Sequence, residues 1–340
     1  MSERRALLVG AGGMGRAWAR NLRDTEGASL AGWVDRSPEV METSLRAMHL
    51  EVPYQGTDYR QALDDVKPDF VLDVTTPESH CDITLAALER GIPVLGEKPL
   101  SSSMDSARKM VDASKESGVL YMVSQSRRYD PRIRAFRRLI ERIGDLGILN
   151  ADFFIGPHFG GFRDEMDHVL LVDMAIHTFD QARFLSGADP ISVFCEEFNP
   201  SWSWYQGAAC ANADFEMTGG LRFHYRGSWC AEGRPTSWES EWRAVGSSGT
   251  GVWDGDHAIR GEVVRGQGGF LSETEPIAEQ AVDDANWGIA GSLKDFLMAL
   301  DNPDHVPMGH SADNIKSLAM VFAAVKSSQE GRRVAIDEVL

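Results

Sequence analysis

The chain contains 340 residues, more than a single domain usually holds, so we expect two domains that each bury a core of their own. Hydrophobic residues make up 43% of the chain and charged residues 25%, a balance typical of soluble globular proteins and not of disordered ones. The formal net charge of −17 disfavours nucleic acid and anionic membranes as partners. The arginines clustered between residues 127 and 138 fall mostly on a predicted helix, which favours a solvated or ion-paired face.

The four cysteines lie far apart in the sequence and include no CxxC pair, which favours reduced thiols over a disulfide or a zinc site. The first predicted strand begins within about five residues of Met1, which leaves no room for a signal peptide. No uninterrupted apolar segment approaches the roughly 20 residues of a membrane span. We therefore expect a cytoplasmic protein. The cysteines are Cys81, Cys195, Cys210 and Cys230.

The first forty residues have the order of a dinucleotide-binding βαβ unit. An apolar run of strand length leads into Gly10, Gly12 and Gly15, and a helical segment follows. Glycine at these positions allows a tight turn, a close approach of the backbone to a pyrophosphate, and close packing of the helix against the strand. The alternative is a glycine-rich turn in an ordinary α/β domain. The spacing and the flanking elements favour the dinucleotide.

Two charged residues at the end of the second predicted strand bear on the choice of cofactor. Asp35 stands where a carboxylate accepts hydrogen bonds from the adenosine ribose hydroxyls, which favours NAD. Arg36 is able to meet a 2′-phosphate, so NADP stays open beside NAD.

Strands and helices alternate up to about residue 125, which predicts an α/β Rossmann domain with a doubly wound parallel sheet over residues 1–125. Ligands then bind beyond the carboxyl ends of the strands, where Gly10, Asp35, Thr75 and Glu97 fall. The predicted strands are Leu30–Val34, Asp69–Val74, Pro93–Gly96 and Leu120–Ser124, and the predicted helices are Val40–His49, Tyr59–Val66, Cys81–Arg90 and Ser106–Ser117 with an N-cap among Ser101 to Ser103.

From residue 126 onwards consecutive strands with few helices between them predict an α+β domain over residues 126–340, with a large, mostly antiparallel open sheet. The predicted strands are Leu149–Ile155, Ile191–Phe198, Ala208–Glu216, Leu221–Trp229, Ser240–Val245 and Val252–Ile259. The predicted helices are Pro131–Ile143, Val169–Leu185, Ile289–Leu300 and Ala312–Gln329, with a turn at Gly144 to Gly147 and a loop from Gly261 to Glu279.

Two segments of the first domain lie at the carboxyl ends of predicted strands, where ligands are expected to bind. The segment from Thr75 to His80 offers hydroxyls and open backbone to a cofactor, but it reads equally well as a strand-to-helix turn with Pro77 at the first helical position. His80 taken alone is more often a capping or packing histidine. Lys98, within Glu97-Lys98-Pro99, is expected to be partly desolvated and to stabilise a developing alkoxide, although a lysine before proline is commonly a surface residue.

Asp173 and His177 are four residues apart on a predicted helix, so their side chains share a face, and Asp180 lies three residues further on. A carboxylate beside an imidazole sets its tautomer and makes it a general base for a hydroxyl proton. A structural hydrogen bond, an exposed ion pair and a metal site are the alternatives. Metal is the least favoured because no cysteine or histidine pair completes a set of ligands. Among the tryptophans of the second half, most of which we read as structural, Trp287 is retained as a substrate candidate.

With these motifs in this order, the sequence resembles the Gfo/Idh/MocA oxidoreductases, the family of glucose-fructose oxidoreductase and inositol dehydrogenase. The resemblance covers essentially the whole chain. Its markers are Gly10-Ala-Gly12-Gly13-Met14-Gly15, Thr76-Pro77 with His80, Glu97-Lys98-Pro99, Arg127 to Pro131, Gly144 to Gly147, and Asp173 to His177 with Asp180.

The resemblance implies a role for each marker. Lys98, Asp173 and His177 form the catalytic group, in which His177 accepts the proton and Lys98 assists at the reacting oxygen. Arg127 and His158 lie beside the substrate with these three residues. The cofactor is contacted by Gly10, Gly12, Gly13, Met14, Gly15, Asp35, Arg36, Thr75, Thr76, Pro77, His80, Glu97 and Lys98.

The activity implied is an NAD(P)-dependent dehydrogenase that oxidises a secondary alcohol of a cyclic polyol, inositol or sugar, or reduces the corresponding ketone. One alternative is an NAD-dependent enzyme that cleaves glycosides or eliminates through transient oxidation. Another is a dinucleotide-sensing regulator without catalysis. The resemblance also implies a homodimer or homotetramer, because the open sheet face is offered to the substrate or to a second subunit.

Overall fold

The computed structural model describes residues 3–266, 270–282 and 287–340. Contacts divide these residues into two compact units, 3–126 with 287–315 and 127–282 with 316–340. The domain limits 1–125 and 126–340 stay a prediction, but the segment 287–315 packs within the first unit. Phe296 lies 5.5 Å from Phe70 between ring centroids, and Arg4 donates to Asp301 at 2.6 Å.

The first unit contains a parallel sheet of six described strands in the order β3-β2-β1-β4-β5-β6. This order reverses beside β1, as a doubly wound Rossmann sheet requires, so the predicted fold class of this half is confirmed. The short β3 was not predicted. The strands are β1 (Arg4–Val9), β2 (Ala28–Val34), β3 (Tyr54–Gly56), β4 (Phe70–Asp73), β5 (Val94–Gly96) and β6 (Tyr121–Val123).

The register of this sheet brings five strand ends into line. Val9 pairs with Val34 on one side and Asp73 on the other, and Gly96 pairs with Asp73 and Val123. The residues that follow these ends therefore emerge along one edge, here called the carboxyl edge.

Several helices begin where a side chain accepts hydrogen bonds from their first backbone N–H groups. Ser37, Asp58 and Ser103 each accept hydrogen bonds from backbone N–H groups of the first turn, and Ser103 lies within the predicted capping segment. The helices in chain order are α1 (Gly13–Arg23), α2 (Pro38–Met48), α3 (Tyr59–Val66), α4 (His80–Leu88), α5 (Met104–Ser117), α6 (Pro131–Ile140), α7 (Ile176–Ser186), α8 (Gly288–Asp301) and α9 (Ser311–Glu330).

The second unit contains a larger sheet, whose nine described strands run in the order β14-β13-β12-β11-β7-β10-β9-β8-β15. Only the β7–β10 pair is parallel among these strands, so the predicted, mostly antiparallel sheet is confirmed. The strands are β7 (Leu146–Phe154), β8 (Pro190–Phe198), β9 (Cys210–Met217), β10 (Arg222–Ser228), β11 (Glu241–Gly246), β12 (Gly249–Trp253), β13 (Ile259–Gly266), β14 (Glu273–Ala278) and β15 (Val334–Ala335).

Two predictions for the second sheet are wrong. The predicted strand Val252–Ile259 is broken because the Asp254 carboxylate accepts hydrogen bonds from two backbone N–H groups of a turn. The predicted loop Gly261 to Glu279 contains most of β13 and all of β14, and its residues 267–269 lie outside the described ranges. Glycine suggested a loop at 261, yet there it allows two strands to approach: a Cβ on Gly261 would lie 2.5 Å from the carbonyl oxygen of Thr250.

The predicted helix Val169–Leu185 is not a continuous α-helix. It opens with a π-helix at Leu170–Ala175 and becomes α7 at Ile176. Because π-turns pair residues five apart instead of four, Asp173 and His177 do not lie on one continuous α-helix, and that their side chains share a face stays a prediction.

The core of the second unit forms where α7 packs on the sheet. Phe179 lies 4.8 Å from Phe215 and 5.2 Å from Tyr225, measured between ring centroids. The next residue, the buried Asp180, accepts two hydrogen bonds at its carboxylate from Arg128, at 2.6 and 2.7 Å, and a third from Ser317. Asp180 is therefore a structural residue, although it matches a marker of the family.

Candidate active site

The glycine loop of the first unit is required by backbone sterics. Gly10 has φ +103°, and a Cβ there would lie 2.5 Å from the carbonyl oxygen of Val74. A Cβ on Gly15 would lie 2.2 Å from the carbonyl oxygen of Gly10. At Gly12 a Cβ would meet open space, and no side chain caps the N-terminus of α1. This helix end is therefore an open backbone cradle that fits a pyrophosphate.

Asp35 ties the end of β2 to this loop. One carboxylate oxygen accepts a hydrogen bond from the Ala11 N–H at 2.7 Å, and the other accepts one from the Ser37 N–H at 2.9 Å. The carboxylate is thereby fixed beside the cradle, while the neighbouring Arg36 is exposed.

The turn after β4 is organised by a buried carboxylate. The Thr75 hydroxyl and N–H both donate to Oδ1 of Asp73, at 2.7 and 3.2 Å. Burial raises the pKa of Asp73. Helix α4 begins at His80, so Pro77 does not occupy the first helical position, contrary to the alternative reading of this turn.

The segment after β5 holds Lys98 at the same edge. Glu97 is buried, accepts a hydrogen bond from Nε1 of Trp18 at 2.6 Å, and accepts another from the Lys98 N–H at 3.0 Å. Burial raises the pKa of Glu97, and its hydrogen bond from Trp18 acts in the opposite direction. Lys98 is half-buried and joined to Pro99 by a cis peptide bond.

In the second unit, the π-helix exposes Asp173 to an arginine that the sequence did not single out. Arg163 donates from Nε to Oδ2 of Asp173 at 2.8 Å. Its guanidinium carbon lies 4.9 Å from the ring centroid of Phe159 and 4.8 Å from that of Phe162. Two glycines between these phenylalanines, both with positive φ, form the turn that brings both rings within reach of the cation.

Asp173 and His177 are both half-buried, whereas Met174, Ala175 and Ile176 between them are buried. The junction of the π-helix with α7 thus presents two titratable side chains from an otherwise apolar segment. Irregular helical turns of this kind are frequent at functional sites.

Arg127 lies against the same segment. It donates to the carbonyl oxygen of Trp238 at 2.6 Å, contacts Sδ of Met174 at 3.7 Å, and lies 3.5 Å from the Glu239 carboxylate. Burial lowers the pKa of Arg127, while the Glu239 charge acts in the opposite direction. Trp238, which sequence reasoning placed among the structural tryptophans, is 48% exposed.

Two predicted substrate residues have other described contacts. His158 stacks on Trp204 at 3.8 Å and contacts the Glu232 carboxylate at 3.0 Å, with an exposed side chain. Trp287 occupies the N-cap position of α8 in the first unit without a side-chain capping hydrogen bond, and it is exposed. Their roles toward a substrate stay predictions.

Within residues 3–266, 270–282 and 287–340, no cluster of three histidine, cysteine or acidic side chains is arranged to hold a metal ion. The helices of these same ranges are too short or too polar to cross a membrane.

The doubly wound sheet, the glycine cradle and the fixed Asp35 define the class: an oxidoreductase with an NAD-binding Rossmann fold. The chain matches the family model described as "Oxidoreductase family, NAD-binding Rossmann fold" over residues 4–125 and the GFO/IDH/MocA C-terminal domain over residues 133–252. It belongs to the Gfo/Idh/MocA oxidoreductase family, and NAD is its cofactor.

Three relatives show how far the similarity extends. The uncharacterised protein y4oX of Sinorhizobium fredii is 27% identical, covering 99% of this chain and 96% of the relative. The scyllo-inositol 2-dehydrogenase (NAD(+)) of Bacillus subtilis is 31% identical, but over only 56% of either chain. An oxidoreductase of Agrobacterium radiobacter was solved with NAD+, L-tartaric acid and magnesium. The match extends over 100% of this chain and 100% of that chain, with a TM-score of 0.87 at 22% identity, which shows that the two proteins share a fold.

Proposed function

We propose that this protein is an NAD-dependent dehydrogenase that oxidises a secondary alcohol of a cyclic polyol, inositol or sugar, or reduces the corresponding ketone. The observation that carries the proposal is the half-buried pair Asp173 and His177, held at the junction of a π-helix and an α-helix among buried apolar neighbours. The similarity to a scyllo-inositol dehydrogenase supports the substrate class.

In the proposed reaction the alcohol loses two hydrogens, one as a hydride from carbon and one as a proton from the hydroxyl group. NAD+, when bound, supplies the acceptor for the hydride. His177 accepts the hydroxyl proton, and the Lys98 ammonium donates to the same oxygen and stabilises alkoxide character. Gly10, Gly12 and Gly15 would hold the pyrophosphate, with Asp35 at the adenosine ribose.

The charges around Asp173 favour a neutral substrate. Arg163 is offset by Asp173 at 2.8 Å, and Arg127 by Glu239 at 3.5 Å. Each cation is therefore already paired with a carboxylate. An uncharged polyol or sugar can bind through its hydroxyls and leave both ion pairs intact, so neither carboxylate loses its partner.

The test is a panel of inositols, cyclic polyols and sugars, each assayed with NAD and with NADP by the absorbance of the reduced nicotinamide. We expect turnover with at least one neutral cyclic substrate, and we expect Lys98→Ala to lower kcat by about 10² to 10⁴. A matched control is Lys109→Ala, because Lys109 lies on α5 away from the carboxyl edge.

Other outcomes of the panel separate the alternatives. Copurifying NAD and substrate cleavage without net NADH would favour glycoside cleavage or elimination. Tight NAD binding with no turnover on any substrate would favour a sensing role, and either result would contradict the proposed dehydrogenase.

We also propose that the protein forms a homodimer or homotetramer through the outer face of the larger sheet, which is the face opposite α7. Phe194 and Phe198, which are exposed on β8, support an interface there. Light scattering coupled to gel filtration measures the assembly, and Phe194→Asp should lower the measured mass. A monomeric wild-type protein at micromolar concentration would contradict this part of the proposal.

A further inference from the structure

Trp238 and Glu239 lie in the segment between β10 and β11, and neither was among the predicted site residues. Hydrogen bonds within the segment fix its course. The Glu239 N–H donates to the Ser237 hydroxyl at 3.0 Å, and the Trp242 indole N–H donates to the Glu239 carbonyl oxygen at 2.6 Å. The two side chains are therefore held in place before a ligand binds, which lowers the entropic cost of binding one.

A hydrogen bond from α7 places the Glu239 carboxylate beside the helix that carries His177. Gln181 is completely buried, and its Nε2 donates to Oε2 of Glu239 at 2.7 Å. Gln181 follows His177 by four residues within α7, so the two side chains share a face of that helix. The carboxylate of Glu239 thus lies one helical turn from the predicted proton acceptor.

Arg127 connects the same carboxylate to the residue after Asp173. Its Nη1 lies 3.5 Å from Oε2 of Glu239 and donates to the carbonyl oxygen of Trp238 at 2.6 Å. Its Nη2 contacts Sδ of Met174 at 3.7 Å. Arg127 and Glu239 together are therefore adjacent to the helical segment that presents both members of the candidate catalytic pair.

The Arg127 and Glu239 side chains keep hydrogen-bonding capacity for a ligand. Their separation of 3.5 Å exceeds a normal hydrogen bond, and in the described part of the chain none joins the two groups. The side chains are 15% and 14% exposed, so each reaches the surface. A guanidinium only donates and a carboxylate only accepts, whereas a hydroxyl does both. Two neighbouring ring hydroxyls, whose oxygens lie about a hydrogen-bond length apart, fit such a donor and acceptor.

The Trp238 ring offers an apolar surface next to this pair. It is 48% exposed, and buried aromatic rings support it from within the unit. Its centroid lies 5.6 Å from that of Trp229 and 6.4 Å from that of Phe153. The C–H faces of sugar and cyclitol rings pack against aromatic rings of this kind, while their hydroxyls point outward to polar groups.

We propose that Trp238, Glu239 and Arg127 form a subsite for two neighbouring hydroxyl groups of a neutral cyclic polyol or sugar. Trp238 packs against the C–H face of the ring, Glu239 accepts a hydrogen bond from one hydroxyl, and Arg127 donates to its neighbour. The subsite rests on the proposed function, because it binds the same substrate. It narrows the substrate class to rings with vicinal hydroxyls, and a ring with one isolated hydroxyl should bind weakly.

The first experiment compares two probes that differ by a single hydroxyl, trans-cyclohexane-1,2-diol and cyclohexanol. Ligand-observed NMR titrations of the full-length wild-type protein with NAD present measure each Kd, so no variant needs to fold. We expect the diol to bind about tenfold more tightly, because its second hydroxyl bonds a charged group. Equal Kd values for the two probes, or a diol that does not bind, overturn the proposal.

The second experiment removes the charge of the acceptor and keeps its shape. Glu239→Gln should raise the Kd of the diol about tenfold and leave that of cyclohexanol unchanged. Glu241→Gln is the matched control, since Glu241 is exposed on β11, and it should leave both values unchanged. A purely structural role for Glu239 would weaken both probes equally or neither, and either result contradicts the subsite.

The third experiment tests the aromatic surface. Trp238→Leu should raise the Kd of both probes about fivefold, because both present a cyclohexane ring to the indole. Trp238→Phe keeps an aromatic face and should restore most of the affinity. If Trp238→Leu binds both probes as wild type does, the ring is not part of the subsite and the proposal fails.

Formation of NADH is followed separately, so the subsite and the proposed activity can fail independently. If the diol binds as expected and depends on Glu239 but no polyol yields NADH, the subsite stands and the dehydrogenase does not. If a polyol yields NADH and Glu239→Gln binds the diol as wild type does, the dehydrogenase stands and the subsite is overturned.

Discussion

The carboxyl edge of the first unit and the π-helix Leu170–Ala175 of the second, here called the Asp173 turn, place their polar groups by different means. At the edge, backbone register aligns the strand ends, and two glycines are required because a Cβ on either would strike a carbonyl oxygen within 2.5 Å. At the turn, Asp173 is held by Arg163, a side chain ten residues earlier in the sequence whose guanidinium carbon lies 4.9 and 4.8 Å from the centroids of two aromatic rings. A backbone site tolerates changes of side chain that leave its space open, whereas a site held by side chains depends on each partner.

This contrast predicts that the largest single effect on turnover comes from the turn. His177→Ala should lower kcat by about 10² to 10⁴ because it removes the proton acceptor, while the Kd for NAD stays unchanged. Steady-state kinetics and an NAD titration measure the two quantities. His257→Ala, in the exposed turn between β12 and β13, serves as the control. Near-wild-type turnover of His177→Ala would remove the turn from the catalytic site.

The second-largest effect concerns stability and the buried ion pair between Arg128 and Asp180. Arg128→Met leaves the buried Asp180 carboxylate without its guanidinium partner, and we expect the free energy of unfolding to fall by about 3–5 kcal/mol. Urea denaturation measures it. Arg226→Met is the matched control, because Arg226 pairs with Asp152 at the surface and should cost about 0–1 kcal/mol. Equal losses in the two variants would mean that the Arg128 pair does not support the core.

A smaller effect separates two glycines of the edge. Gly15→Ala forces the backbone apart and should lower the free energy of unfolding by about 1–3 kcal/mol. Gly12→Ala meets open space and should leave stability within about 0.5 kcal/mol of wild type. Both should weaken NAD binding, the second because its methyl group fills the cradle. If Gly12→Ala bound NAD as tightly as wild type, the pyrophosphate would not lie there.

The smallest expected effect concerns the cation beside Asp173. Arg163→Lys keeps the charge but loses the planar group that contacts both rings and donates to Asp173, so we expect kcat/KM to fall about tenfold. Arg222→Lys, on the outer face of the sheet, should leave kcat/KM unchanged. If Arg163→Lys were also unchanged, Asp173 would not depend on that side chain for its position.

Local sequence was sufficient where local geometry decides the structure. The alternation of strands and helices and the serine cap of α5 are both set by residues near one another in the chain, and both predictions were confirmed. The strands β13 and β14 were missed because their glycine-containing, partly polar residues become strands only when paired with neighbours. The same limit applies to Cys210 and Cys230, distant in sequence, whose sulfur atoms lie 3.7 Å apart.

The sequence by itself determined the family and the NAD-binding fold, because backbone conformation and motif spacing are local properties, and it predicted a catalytic group that stays a prediction. Only the tertiary structure decided what those side chains touch. It turned Asp180 into a buried ion-pair partner, set Arg163 against Asp173, and enclosed His80 between two carbonyl oxygens. The physical reason is that hydrogen bonds and burial depend on groups brought together from distant positions, and pattern along the chain does not record which groups those are.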